Sequence, residues 1–321
     1  MSAARTVRPT DLVALVSFDG RIYPNEARTW DRLGCRPEPP SVLGSAVEQW
    51  FSFATGRHTW ISIQGQTIRG LISARPRGTR AAWEVDCLIA ATADPERVAL
   101  DLLERVSAGG VRHGVQKVFL RLEAGSDLIR PARKAGFVPY ATERLLRLNG
   151  GACLVEELSL PAGVILRPRE RHDDAALFQL YNRVVPQPVR MVEAATLAEW
   201  QAAQERRRAG RRAADLVGQR DDRIVLHLRA GRVGDAGRLD LMAETTAVEE
   251  LDALVAWGLR ELGPCRPVYA VVPGYNRPLE ERLLAAGFEP AGEYELLAKR
   301  VAQPVRVTNP ARAAVKRAVP L

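Results

Sequence analysis

An internal repeat constrains the fold of this 321-residue chain more than any other feature of its sequence. The sequence Ala-Gly-Phe-Val-Pro at residues 135–139 returns as Ala-Gly-Phe-Glu-Pro at residues 286–290. The Leu-Leu pair at 145–146 returns at 296–297, again 151 residues later. Arg8-Pro9 and Asp11 open the first half much as Arg167-Pro168 and Asp173 open the second. A repeat of this length has the size of a domain, so the sequence predicts two copies of one fold.

The composition is that of a folded globular protein. Hydrophobic residues make up 46% of the chain and charged residues 26%. No apolar run approaches the roughly 18 residues of a membrane span, and the N-terminus has no apolar signal-peptide core. We therefore expect a cytoplasmic protein with no membrane partner. Its predicted parts are two domains, residues 1–150 and 164–307, and a loosely held tail at 308–321.

The cysteines and histidines are scattered along the chain. No two of the four cysteines form a Cys-x-x-Cys pair, and no histidine pair has metal-binding spacing. The sequence therefore predicts neither a metal site nor a disulfide framework. Buried thiols and structural imidazoles are the simpler interpretation.

The densest run of positive charge is Arg-Arg-Arg-Ala-Gly-Arg-Arg at residues 206–212, in a chain of net charge +8. One interpretation is a solvated helix end, where arginines complement the helix dipole. The other is contact with a nucleic acid or another polyanion. No aromatic residues alternate with the arginines as in an RNA-binding motif, so nucleic acid is not the partner we expect.

The order of predicted elements is the same in both halves. A strand, two helices and three meandering strands are followed by a long helix and another strand. A short helix ending in Ala-Gly-Phe and a final strand complete each half. In the first half the two early helices are predicted at residues 11–18 and 43–53, and the Pro- and Arg-rich segment 23–40 has no clear assignment.

This order, with the Ala-Gly-Phe turn, resembles the GNAT superfamily of acyl-CoA-dependent N-acyltransferases. Residues 5–148 and 164–301 would each form one GNAT-like domain. The resemblance implies an α+β fold, layered as α/β, in which each domain has a mixed central sheet flanked by helices. It also implies a tandem arrangement, but fold alone does not establish activity.

Both halves depart from the family's cofactor motif, Gln/Arg-x-x-Gly-x-Gly/Ala, at the start of the long helix. Glycines there bring backbone amides close to the CoA pyrophosphate. In the first half Asp94 takes the Gln/Arg position and precedes Pro95, which is typical of a capped helix start. In the second half Thr246 and Glu249 form a capping-box pattern. We therefore expect acetyl-CoA binding to be absent or weaker than about 100 µM, roughly 5.5 kcal/mol.

The family's proton donor is also missing. Its usual position, a tyrosine on the short helix, holds Ala132 in the first half and Leu283 in the second. The family's asparagine at the start of that helix is Gly125 in the first half and Asn276 in the second. Asn276 fits either a cofactor contact or a helix N-cap before Pro278. Tyr275 is a possible substitute donor.

Acidic residues on the central strands are candidate bases or contacts for a basic substrate. Alternation predicts Glu84 and Asp86 on one strand face, opposite Val85, Cys87 and Ile89. Asp240 occupies the corresponding strand of the second half, and His227 is a further candidate base. A salt-bridged sheet face and a structural histidine are the alternatives.

Three functions remain open from the sequence, one of which is the polyanion binding through residues 206–212 described above. If active, the protein transfers an acyl group, most simply acetyl, from acyl-CoA to a small-molecule amine. The alternative is a catalytically inactive module that binds a small ligand or a protein. Acetyl-CoA or another acyl-CoA would be the co-substrate, bound by the second half through Leu241, Met242, Ala243, Thr245, Thr246 and Asn276. No catalytic residue is assigned.

Overall fold

A computed structural model describes residues 3–11, 14, 18, 24–34, 56–65, 67–150, 163–207, 211–233, 236–244, 251–265 and 267–301. The described strands are β1 (Ala3–Thr6), β2 (His58–Gln64), β3 (Thr67–Arg77), β4 (Thr79–Ala90), β5 (Lys117–Glu123), β6 (Val138–Leu148), β7 (Ile165–Pro168), β8 (Arg211–Arg220), β9 (Arg223–Val233), β10 (Ala236–Ala243), β11 (Val268–Pro273) and β12 (Glu289–Arg300). The described helices are α1 (Pro95–Arg112), α2 (Ile129–Lys134), α3 (Asp174–Val184), α4 (Gln187–Glu193), α5 (Leu197–Arg207), α6 (Leu251–Leu262) and α7 (Arg277–Ala285). Short 3-10 turns cover Pro9–Asp11, Trp30–Arg32 and Arg171–Asp173.

All described strands belong to one mixed sheet, ordered β1-β2-β3-β4-β5-β12-β6-β11-β10-β9-β8-β7. Read inward from either edge, the order is the same: five strands of one half, then the last strand of the other. This symmetry agrees with the predicted duplication, and the mixed sheet with flanking helices confirms the predicted fold class. The domain limits at residues 150 and 164 stay a prediction.

The last strands of the two halves are exchanged. β12 pairs antiparallel with β5 and with β6, and β6 pairs antiparallel with β11. As a result Leu297 and Val301 are buried in the core around α1, while Leu146 and Leu148 are buried in the core around α6. Each hydrophobic core is therefore built from residues of both halves.

The repeated Ala-Gly-Phe turns have the same structure. Gly136 and Gly287 end α2 and α7 with φ of 86° and 89°, a region that favours glycine. The Phe137 amide donates to the carbonyl of Ala132 and the Phe288 amide to that of Leu283, both at 3.0 Å. This six-residue closure is the Schellman motif, so both glycines cap helix C-termini as predicted.

The repeated openings match with a different register than the sequence predicts. Arg5 binds Asp11 through both guanidinium nitrogens, as Arg167 binds Asp173, at 2.6–2.8 Å. Arg5, not Arg8, is therefore the counterpart of Arg167. The Arg-Pro resemblance was off by three residues because the structure preserves the arginine–aspartate pair and not the proline.

Several local predictions were wrong or lie outside the described residues. The first half's expected helix at 43–53 and the tail at 308–321 lie outside them, and the helix at 11–18 lies mostly outside. Helix α4 was not predicted, because Pro186 and Pro188 interrupt its pattern; the two prolines instead lie at its start. Of the basic run, residues 206–207 end α5 and residues 211–212 begin β8, whereas residues 208–210 lie outside the described residues. Within the described part of the chain, no helix is both long and apolar enough to cross a membrane.

Candidate ligand site between diverging strands

Each half of the sheet contains a gap where two parallel strands diverge. β4 pairs with β5 only at residues 82–84 and 117–119, and β10 pairs with β11 only at residues 237–239 and 268–270. Beyond these pairs the strands continue without pairing to each other. We call the openings the first gap, between β4 and β5, and the second gap, between β10 and β11.

Matching hydrogen bonds show which backbone groups face the first gap. The Ala91 amide donates to the Arg69 carbonyl on β3, and the Ala124 amide donates to the Glu293 carbonyl on β12, both at 2.7 Å. Because backbone groups alternate in direction along a strand, Leu88 and Arg121 point their polar atoms into the gap.

The second gap has the same arrangement. The Glu244 amide donates to the Val225 carbonyl at 3.0 Å, and the Gly274 amide donates to the Thr142 carbonyl at 2.8 Å. By the same alternation, the polar backbone atoms of Leu241 and Val271 face the second gap. Leu241 and Val271 are thus the counterparts of Leu88 and Arg121.

The chain's own residues 24–34, which we call the strap, fill the first gap. The Glu26 amide donates to the Leu88 carbonyl, and the Arg28 amide donates to the Arg121 carbonyl, both at 2.9 Å. The Leu88 amide in turn donates to the Asn25 Oδ1 at 2.9 Å. The strap therefore satisfies both rims of the gap much as an added strand would.

The strap is firmly anchored. Ala27, Thr29 and Leu33 are buried. The Arg75 guanidinium donates to Asp31 at 2.6 Å, and Arg32 donates to the Asp86 carbonyl at 3.1 Å. Burial and this number of polar contacts make the strap an integral part of the fold, and the first gap does not fit an acyl-CoA.

The second gap differs from the first. Among the described residues, none makes a hydrogen bond to the amide or carbonyl of Leu241, or to the Val271 carbonyl, from the gap side. The side chains of Leu241 and Ala243 pack into the core around α6, whereas Met242 packs on the opposite face against the cluster formed by α3, α4 and α5. The backbone groups of this gap that could hydrogen-bond the amide-bearing arm of an acyl-CoA are therefore those of Leu241 and the carbonyl of Val271.

The predicted cofactor residues are only partly brought together. Leu241, Met242 and Ala243 border the second gap at the end of β10, while Thr245 and Thr246 lie outside the described residues. Asn276 lies just beyond the end of β11, and its side chain accepts from the Leu279 amide at 3.4 Å. The helix-cap interpretation of Asn276 is thus confirmed, and its contact with a cofactor stays a prediction.

The start of α1 is capped as predicted. The Asp94 side chain accepts from the Arg97 amide at 3.3 Å, and Pro95 follows it in the first turn. The carboxylate adds negative charge where a pyrophosphate would need amides. Ala132 and Leu283, at the positions of the missing proton donor, are both buried in the cores.

The acidic residues of β4 form ion pairs, and one of them, Asp86, lies on a β-bulge. Asp86 binds Arg57 and accepts from the Ser73 hydroxyl at 2.7 Å, and Glu84 lies 3.3 Å from Arg75. The register skips Asp86, since Ser73 pairs with Cys87 and Ala74 with Val85. The expectation that Val85 and Cys87 share a face was wrong, because the extra residue of a β-bulge reverses the alternation.

A buried polar cluster lies on β8 to β10 of the second half. His227 Nε2 and Asp215 Oδ1 are 2.8 Å apart, and Arg229 lies 4.0 Å from Asp240. Burial lowers the pKa of His227, although its bond to Asp215 opposes this. Burial acts to raise the pKa of Asp215, but the hydrogen bond and charge of His227 outweigh it and hold the value at about 2. Among the described residues no His, Cys, Asp or Glu cluster could hold a metal ion.

Sequence reasoning missed the strap and the strand exchange. The strap carries no periodic pattern, since it is an extended segment held by its backbone and by single side chains. The only local signal was the cluster of Pro24, Asn25 and later prolines. It indicates irregular structure but does not indicate where in the fold this segment packs.

No protein-family model matches the sequence, and no curated protein is significantly similar to it. The structure is similar to a GCN5-related N-acetyltransferase from Sphaerobacter thermophilus, with a TM-score of 0.56 and 14% identity over 94% of this chain and 96% of that one. It is also similar to a tandem GNAT protein of the clavulanic acid biosynthesis pathway, solved without acetyl-CoA, with a TM-score of 0.50 and 14% identity over 95% and 99%. A Drosophila protein matches with a TM-score of 0.52 and 13% identity over 94% and 99%. The chain therefore has the GNAT fold in a tandem arrangement.

Proposed function

We propose that this protein transfers an acyl group, most simply acetyl, from acyl-CoA to a small-molecule amine, and that only its second half holds the acyl-CoA. The observation that carries the proposal is the difference between the two gaps. The strap fills the first gap, whereas the matching groups in the second, the amide and carbonyl of Leu241 and the carbonyl of Val271, have no described partner. The cytoplasmic location expected from the sequence stays a prediction.

In this proposal the amide-bearing arm of acyl-CoA lies along β10. The Leu241 amide donates to the arm and its carbonyl accepts from it, as Leu88 does with the strap. The amine attacks the thioester carbonyl, so that a C–N bond forms and the C–S bond breaks. Asp240, on the same strand face as Met242, is our candidate to take the amine proton.

The proposal predicts weak binding, because no glycine-rich helix start supports the pyrophosphate. Calorimetry with acetyl-CoA should give a dissociation constant weaker than about 100 µM, or less than roughly 5.5 kcal/mol. Hydrogen exchange with millimolar acetyl-CoA should slow at the Leu241 amide and stay unchanged at the Leu88 amide. Protection at Leu88 would contradict the assignment to the second half.

Two helix-cap variants make a matched pair. Asn276→Ala removes the cap of α7 beside the second gap and should weaken acetyl-CoA binding. Asp94→Ala removes the cap of α1 beside the filled first gap. It should lower stability by a similar amount, about 1 kcal/mol, but leave acetyl-CoA binding unchanged.

An inactive binding module is the second candidate, favoured by the buried Ala132 and Leu283 at the positions of the proton donor. Absence of acetyl-CoA binding at millimolar concentration would reject transfer and support this alternative. Low-micromolar binding would show instead that a glycine-free helix start with its own capping residues can still hold a pyrophosphate.

A further inference from the structure

The strap does not end at the first gap. Its residues 30–34 cross onto the strands of the second half, at the point where β10 and β11 begin to diverge. Arg238 of β10 donates to the Leu33 carbonyl, and its guanidinium lies 4.2 Å from the centre of the Trp30 ring. Arg238 is buried, so both contacts form away from water, where a cation–π contact is strongest.

The same segment contacts the neighbouring strand. Gly34 lies so close to the Tyr269 ring that an added β-carbon would be 2.4 Å from it. Leu33 packs in a small apolar cluster whose members include Val271 of β11. Arg238 pairs with Tyr269 one residue before the last pair of the parallel ladder. The strap thus touches both strands at the base of the second gap.

We propose that residues 30–34, which belong to the first half, position the base of the second gap, with Trp30 acting through Arg238 as a positioning residue. The effect on acyl-CoA binding rests on the proposed function. The contacts of residues 30–34 with β10 and β11 do not depend on it. One end of the strap fixes the first gap and the other fixes the geometry of the second. The first half, whose gap is filled by the strap, is then the rigid support of the second half, which binds acyl-CoA.

The test compares Trp30→Ala, Trp30→Phe and a control, Val98→Ala, in the full chain. Val98 is buried in the core around α1. Its truncation lowers stability without removing any contact given above for residues 30–34. We expect Trp30→Ala to speed hydrogen exchange of the Leu239 amide, at the last pair of the β10–β11 ladder, at least tenfold in the free protein. Trp30→Phe should restore slow exchange, because a phenyl ring still offers a face to Arg238.

Acetyl-CoA affinity is the second measurement. Trp30→Ala should weaken this affinity severalfold. Val98→Ala should leave it unchanged when each variant is measured at the same number of degrees below its own unfolding temperature. Unchanged exchange at Leu239 in Trp30→Ala would overturn the inference, as would an equal effect of Val98→Ala. If the unmodified protein binds no acetyl-CoA, the proposed function fails, and the exchange result in the free protein still decides the positioning role.

Discussion

His58 shows how a single residue makes stability depend on pH. Its ring stacks on Trp83 at 4.8 Å and lies 4.2 Å from the ring of His113. Burial, with the nearby His113, lowers the pKa of His58 from 6.5 to about 4. The unfolded chain therefore binds the proton more readily, so this contribution to stability is complete above pH 6.5 and is lost as the pH falls toward 4.

We predict that His58→Phe flattens this dependence. The variant keeps an aromatic ring in the stack but cannot take up a proton. Its free energy of unfolding, measured by denaturant titration between pH 7 and 4, should fall less steeply than that of the unmodified protein. His172→Gln is the control, since His172 is exposed. Parallel pH profiles for His58→Phe and the unmodified protein would contradict the prediction.

Single residues were predictable where a local rule decides their role. Asp94 and Asn276 cap helices because each has proline in the following first turn and a side chain that reaches a backbone amide. Asp86 was not predictable, because its place on a bulge depends on how β3 aligns beside β4. That alignment is set by contacts between strands, which spacing along one strand does not contain.

At the scale of elements, the two Schellman turns are the most faithful copies in the molecule. We predict that Gly136→Ala and Gly287→Ala each cost roughly 1 kcal/mol, since both positions require a left-handed backbone. The added methyl itself meets only side-chain atoms, the nearest 3.4 and 3.6 Å away. Denaturant unfolding measures the cost.

Gly150→Ala is the matched control for these turns. An added β-carbon at Gly150 meets no atom within 4 Å, and its φ is outside the left-handed region. It should change stability by no more than a few tenths of a kcal/mol. A neutral result at Gly136 or Gly287 would mean that the backbone relaxes to another turn.

Regular elements were predicted well because periodicity and capping are local signals. The long helices and the meandering strands carry such signals, and only their ends shifted. Helix α4 and the strap lacked them. Residues 24–29 of the strap in particular are extended because they complete hydrogen bonds of β4 and β5, so their conformation is decided by their partners.

At the scale of the whole molecule, the exchanged strands tie the two cores together. Leu297 is buried in the core around α1, and Leu146 is buried in the core around α6. We predict that Leu297→Ala and Leu146→Ala each cost about 2–5 kcal/mol, through lost burial and the cavity left behind. The measurement is the free energy of unfolding of the full chain.

The location of the effect distinguishes exchange from simple tandem packing. Hydrogen exchange should quicken around α1 and β5 in Leu297→Ala, although Leu297 lies in the second half of the sequence. It should quicken around α6 and β11 in Leu146→Ala. Changes confined to each residue's own half of the sequence would refute the exchanged arrangement. Sequence periodicity could not reveal it, because both partner strands offer the same alternating pattern.

The exchange also governs how the chain can fold during synthesis. The strand that completes β5 is β12, which begins only at Glu289. When the ribosome has made the whole first half, that half still lacks its neighbour and leaves β5 as an open edge. Its final structure must wait until β12, residues 289–300, has emerged as well. The two halves, which look like separate domains in the sequence, therefore cannot complete their folding independently during translation.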